Sequence, residues 1–176
     1  MPNVVYIAQT QQGTGSGLDA ADAKAVTYFN NSANWTSTAP VAPSVLIGPG
    51  TTVHLCGTIT TTLTVQGSGA SGNPVTIFFE PGCVMTSPSW PLNPSTGAVG
   101  LGAAITGYVV DYITVDGGTN GQINATNQNT ASGLYSDGVQ FSYGNGIEVR
   151  NLTILNIYKK QTQADLVNNA GAGINI

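Results

Sequence analysis

An all-β chain wound as a solenoid of short parallel strands is the fold class this sequence predicts, on three observations. Apolar residues come in short runs with period-two alternation, as in Thr52-Val53-His54-Leu55-Cys56 and Val75-Thr76-Ile77-Phe78-Phe79. Gly-rich turns such as Gly67-Ser68-Gly69 and Ser71-Gly72-Asn73-Pro74 separate those runs. Similar strands then recur about 34 residues apart, Ile113 with Ile147, Val115 with Val149, and Ile105 roughly with Val139 and Ile174. Short strands and turns alone fit a sandwich equally well; the recurrence favours the solenoid.

Composition bounds the function. The 176 residues make one domain with room for a core. Only 7% are charged, against about 25% in an ordinary soluble protein. The surface must therefore be built from Thr, Ser, Asn, Gln and Gly, as in secreted β-rich proteins, which predicts an extracellular, cell-surface or virion-surface location. Apolar content of 41% argues against disorder. A net charge of −4 with four Lys and Arg residues supplies no basic stripe for nucleic acid and no attraction to an anionic membrane. No run is long enough to insert in a membrane as a helix. Met1-Pro2-Asn3 leads straight into the strand-like Val4-Val5-Tyr6-Ile7-Ala8, so no signal peptide is read there.

Cys56 and Cys83 lie about one coil apart, as a disulfide or as free thiols stacked in the core; the second reading is favoured because a buried free Cys packs as a small hydrophobe. One His and no Cys-x-x-Cys pair argue against zinc. Four Asn-x-Ser/Thr triplets, at Asn30, Asn34, Asn124 and Asn151, are read as chance in an Asn- and Thr-rich chain.

In order along the chain, a strand from Val4 to Gln9 and a Gly/Ser turn at Gly13–Gly17 precede a predicted helix over Leu18–Asn30. Asp19 or Ser16 would cap it, and Ala21, Ala25, Val26 and Phe29 would form its apolar stripe. That helix is expected to cover one end of the solenoid. Residues 31–49 read as a loop, so 1–50 form an N-terminal strand, capping helix and loop, and 51–176 the coils. The first set of strands is Thr52–Cys56, Leu63–Gln66 and Val75–Phe79, and Cys83-Val84-Met85 begins another strand before a Pro-rich loop. Ala103–Thr106, Tyr112–Asp116 and Gln122–Ala125 form a second set; Val139–Phe141, Ile147–Arg150 and Leu152–Ile157 a third. Gly173, Ile174, Asn175 and Ile176 would open a fourth and present a strand edge, to be covered by further sequence, a partner or another copy.

Tyr112-Ile-Thr-Val-Asp-Gly-Gly, Gly146-Ile-Glu-Val-Arg-Asn-Leu-Thr-Ile-Leu-Asn-Ile and Gly171-Ala-Gly-Ile-Asn-Ile resemble coils of the right-handed parallel β-helix proteins of the pectin-lyase-like superfamily. The resemblance spans about Val45 to Ile176 and implies a right-handed β-helix of about three coils with a short N-terminal capping helix. It specifies activity poorly, because the superfamily includes polysaccharide lyases, glycoside hydrolases, phage tailspikes and adhesins. The Asn-Thr-Asp, Asp-Asp and Gly-His-Gly signatures of its polygalacturonases are absent.

A lyase needs a cation over the uronate and a Lys or Arg base, and an inverting hydrolase needs two carboxylates about 6.5–9.5 Å apart. The catalytic candidates are Asp111, Asp137, Arg150 and Lys160, with Asp116 and Lys159 as further pieces. The competing readings are structural: an outward Asp116–Arg150 ion pair between adjacent coils, a solvated turn at Lys159 and Lys160, and an outward His54 with no partner. Trp90, Tyr108, Tyr135 and Tyr143 are candidates for stacking on sugar rings; for Trp90 the alternative is to pin its loop. Thr58, Thr60, Thr62 and Thr64 make a Thr-x-Thr ladder of the ice-ordering kind, on one stretch only.

The function expected is thus an extracellular, non-catalytic β-helix module, a scaffold with glycan contact and self-association through its C-terminal coil. The alternatives are part of a polysaccharide lyase or glycoside hydrolase, and a self-assembling filament subunit whose low charge leaves its edges unblocked. Polysaccharide and a second copy are the expected partners, and no cofactor is expected, with Ca²⁺ on loop carboxylates and carbonyls left open.

Overall fold

In the computed structural model, residues 3–88, 90, 103–126, 137–157 and 173–176 are described. Three sheets account for the strands, and every pairing between strands is parallel. The first sheet holds β1 (Asn3–Ala8), β2 (Lys24–Ala25), β3 (Thr51–Cys56), β6 (Val75–Phe79), β9 (Ile113–Asp116) and β12 (Glu148–Arg150), in the order β12-β9-β6-β3-β1-β2. The second stacks β4 (Thr58–Ile59), β7 (Val84–Ser87), β10 (Gln122–Ala125) and β13 (Thr153–Leu155). The third stacks β5 (Leu63–Thr64), β8 (Ala103–Tyr108), β11 (Asp137–Ser142) and β14 (Ile174–Asn175).

From β3 onward the chain visits the three sheets in the same rotation on four successive passes, each strand pairing with the strand three places earlier. This corrects the three coils expected from the sequence. The two-residue strand Thr58–Ile59 carries too little pattern to be read as a strand. Without it, Val75–Phe79 falls at the end of the first set instead of the start of the second pass.

The same finding breaks the Thr ladder. Thr58 and Thr64 belong to strands of different sheets, with a corner between them.

Alternation and register explain the core. In β3 and β6 buried and half-buried residues alternate, so every second side chain points inward. The register Val5–Val53–Ile77–Val115 places four residues of 0% exposure in one column, with Val149 next in line. Ile7, Leu55 and Phe79 form a parallel column, and Leu63–Ile105–Val139 the equivalent in the third sheet. Each fully buried side chain of this kind contributes about 1.5–3 kcal/mol. The recurrences of Val115 with Val149, and of Ile105 with Val139 and Ile174, are the strand registers themselves. Successive passes touch closely: a Cβ on Gly117 would come within 2.1 Å of the Asn151 carbonyl oxygen.

The predicted helix over Leu18–Asn30 is a correction: only Val26–Phe29 is helical (α1), and Lys24–Ala25 is a strand beside β1. Local bonds take the place of a helix here. Asp22 N–H donates to the Asp19 carboxylate at 2.9 Å and Thr14 N–H to Asp22 Oδ1 at 2.6 Å, while Gln12 N–H reaches Ala23 O. Of the predicted stripe, Val26 and Phe29 are buried, Ala25 is half-buried and Ala21 is exposed, and Asn30 clamps the segment to β5 through Thr62 O and Thr64 N–H.

Candidate functional site

Asp116 and Arg150 stand directly opposite in the β9–β12 register. Arg150 Nε donates to Asp116 Oδ2 at 2.8 Å, and Nη1 to Glu148 Oε1 at 3.2 Å. The pair is not uniformly exposed: the Asp116 side chain is 11% accessible and that of Arg150 49%. Gly118 N–H and Asn151 Nδ2 also donate to Asp116 Oδ1, at 2.9 and 3.0 Å. Burial alone would raise this carboxyl, but the bonds from Asn151, Gly118 and Arg150 and the guanidinium charge outweigh it and hold the group below its ordinary value. This is a carboxylate committed to joining two passes.

Asp111 likewise stitches turns together. Its Oδ1 accepts from Asn145 N–H at 2.8 Å and from Asn145 Nδ2 at 3.1 Å, while its own N–H donates to Ser68 Oγ at 3.0 Å. Asp137 opens β11 opposite Ala103 and is buried, whereas Asp111 lies beyond the other end of β8. A strand of that length spans roughly 16 Å at about 3.3 Å per residue, so the two do not form a hydrolase-type carboxylate pair. Lys159, Lys160 and Tyr135 lie outside the described residues.

The aromatic candidates divide. Trp90 is 1% exposed and belongs to the core cluster, so its ring offers no platform for a sugar. Tyr108 and Tyr143, in contrast, are 50% and 81% exposed, and their rings meet edge to face with centroids 5.6 Å apart. Tyr108 ends β8 opposite Ser142, and Val109 and Tyr143 are the equivalent next positions of the two passes. Both are left-handed, with φ of 52° and 59°, a conformation that costs a non-glycine residue about 1–2 kcal/mol. The shared turn carries Tyr108, Val109 and Tyr143 outward together, all three exposed.

His54 is a further correction: it faces outward but has partners. Its Nδ1 lies 2.5 Å from Glu80 Oε1. The ring stacks on Tyr6 at 4.5 Å and meets Phe78 edge-on at 5.6 Å. These residues form one outward line, Tyr6–His54–Phe78–Asp116–Arg150, across the first sheet. The signal was available: β3 and β6 are offset by 24 positions, which sets Phe78 beside His54 and brings Glu80 within reach.

Both cysteines are free. Cys83 is fully buried, and burial pushes its thiol up to about 12. Cys56 sits half-exposed on the outer face of β3, not in the core as expected; burial and then Glu80 raise it to about 11. At ordinary pH neither is a thiolate nucleophile. Three of the four sequon amides donate inward, Asn30 to Thr62 O, Asn34 to Tyr28 O and Asn151 to Asp116. Among the described residues no cluster of three His, Cys, Asp or Glu side chains is arranged to hold a metal.

One hollow of about 330 Å³ opens between Trp35 and the Gln66–Gly69 turn. Another of about 350 Å³ lies beside Lys24 and Tyr28. Neither is lined by Asp111, Asp137 or Arg150. No family model matches this chain, and neither the curated proteins nor the solved structures compared with it give a match.

Proposed function

We propose that the chain is a right-handed parallel β-helix module, similar in architecture to the pectin-lyase-like superfamily, that acts as an extracellular scaffold and contacts glycan through Tyr108 and Tyr143. The β-helix reading is supported by four passes through three parallel sheets in unchanging rotation and by inward columns of Val, Ile and Leu. The glycan reading rests on one observation, the exposed tyrosine pair held at the ends of adjacent strands by matching left-handed residues. Flat rings of this kind suit the apolar faces of sugars, with the phenol hydroxyls left to bond their edges. A scaffold role is favoured over a lyase or hydrolase by the engagement of the catalytic candidates: Asp111 holds Asn145, and Arg150 holds Asp116 and Glu148.

The test is a glycan array probed with the intact chain and with the Tyr108→Ala/Tyr143→Ala double variant. Retention of a glycan class that the double variant loses, with thermal stability unchanged, is the expected result. Equal retention by both, or release of unsaturated sugars from the array, overturns the reading.

Self-association is a second reading, favoured by the last pass. Val149 and Ile154 are only half-buried there, and Ile174 and Ile176 are 47% and 63% exposed. An exposed strand edge of this kind can pair with a strand of another copy or stay unpaired. Light scattering distinguishes these: an oligomer dispersed by Ile174→Lys supports assembly through the edge, and a monomer contradicts it.

A further inference from the structure

Lys24 differs from the other described cations. Arg150 is neutralised by Asp116 and Glu148, and His54 lies against Glu80, whereas Lys24 has no carboxylate partner among the described residues. A lysine with no partner is ordinarily a mobile, hydrated surface charge. This one is held in place. Its stem lies flat on Gly17, where an added Cβ would meet Lys24 Cε at 3.0 Å and Cγ at 3.1 Å. Its ammonium donates to Gly15 O at 2.9 Å and sits 4.6 Å from the centroid of the Tyr28 ring. Tyr28 is itself fixed, its hydroxyl donating to Val45 O at 2.9 Å.

Gly17 has φ of 79°, the left-handed region that suits glycine. The turn therefore leaves room for the lysine stem and holds it.

An ammonium has three donors. One is used by Gly15 O and one side is covered by the ring, so donor capacity remains toward the 350 Å³ hollow lined by Lys24, Tyr28, Gln11, Thr27, Asn31 and Asn34. Asn31 Oδ1 accepts from Ala33 N–H, which leaves the Asn31 NH₂ to donate. The Gln11 amide and the Thr27 hydroxyl have no protein partner among the described residues. A fixed positive charge beside neutral amide and hydroxyl groups matches a carboxylate carried next to hydroxyls. The cost of ordering the lysine is already met by the fold, which favours binding.

We propose that this hollow binds a small hydroxylated carboxylate, its carboxylate on Lys24 Nζ and its hydroxyls on Gln11, Thr27 and Asn31. The site is distinct from the Tyr108–Tyr143 patch, and its success or failure leaves the glycan reading of that patch untouched.

The experiment is an NMR-monitored titration of the labelled full chain with sodium gluconate, with sorbitol as the neutral polyol and acetate as the bare carboxylate. Gluconate should shift the amides of Gly15, Lys24 and Asn31 with a dissociation constant on the order of millimolar, as one partly exposed charge contact gives. Sorbitol and acetate should bind on the order of tenfold more weakly. Lys24→Met should abolish the gluconate shifts, Lys24→Arg should keep them, and Gln11→Ala, which removes no side-chain hydrogen bond within the described residues, should weaken them.

Methyl glucuronide separates the two sources of the ligand. Binding as tight as gluconate assigns the site to a carboxylated sugar unit, and weaker binding to a free hydroxy acid. Equal shifts from sorbitol and gluconate, undiminished gluconate binding by Lys24→Met, or no shifts at Gly15 and Lys24 would overturn the proposal.

Discussion

Arg150 stands across the β9–β12 strand pair from Asp116, its Nε 2.8 Å from Oδ2, and the carboxylate also takes bonds from Gly118 and Asn151. The arrangement fastens the last two passes of the first sheet together from the outside, as the inward Val115–Val149 contact does from within.

Asp116→Ala is therefore expected to destabilise the chain by about 1–3 kcal/mol at neutral pH, because it leaves bonded donors without their acceptor. The folded carboxyl lies below its ordinary value, so this stabilisation is complete above the unfolded value of about 3.9 and is lost as the pH falls through the folded value. Urea midpoints of the two proteins should be well separated at pH 7 and converge under strongly acidic conditions. A pH-independent gap would show that the ionised carboxylate is not the source.

His54 and Glu80 should behave as a coupled unit. A double-mutant cycle with His54→Ala and Glu80→Ala, read by denaturant unfolding, is expected to give a coupling of about 0.5–3 kcal/mol. His54→Ala should cost more than Glu80→Ala, since it also removes the ring contacts with Tyr6 and Phe78. Additive effects would remove the pair from the account.

Neighbouring residues of β6 offer an internal comparison. Ile77, fully buried in the inward column, should cost about 2–5 kcal/mol when replaced by Ala. Thr76, half-buried on the outer face, should cost within about 0.5 kcal/mol. Similar losses at both positions would contradict the assignment of faces.

The parallel, repeating character of the chain was legible because it is written in single residues. Val115 and Val149, or Ile105 and Val139, carry the register directly. The two-residue strand Thr58–Ile59 was not, because a strand so short has no period to read. The helix expected over Leu18–Asn30 failed for a different reason: Asp19, read as its cap, and Asp22 instead bond backbone N–H groups of the turn.

At the candidate site, Tyr108 and Tyr143 could be named from the sequence. Their separation from the buried Trp90 depends on loop packing that no local pattern encodes. The His54–Glu80 contact needed the 24-residue offset of β3 and β6, shorter than the 34-residue offset of β9 and β12. The fixed position of Lys24 needed the left-handed Gly17.

Where a glycan sits on the surface is the most direct test of the account. Saturation-transfer and amide-shift mapping on the labelled chain, with an oligosaccharide retained in the array experiment, should place the contact on Tyr108, Val109 and Tyr143, and Tyr143→Ala should remove it. Shifts centred on any other face, or binding unchanged by Tyr143→Ala, would contradict the proposed role of the tyrosine pair.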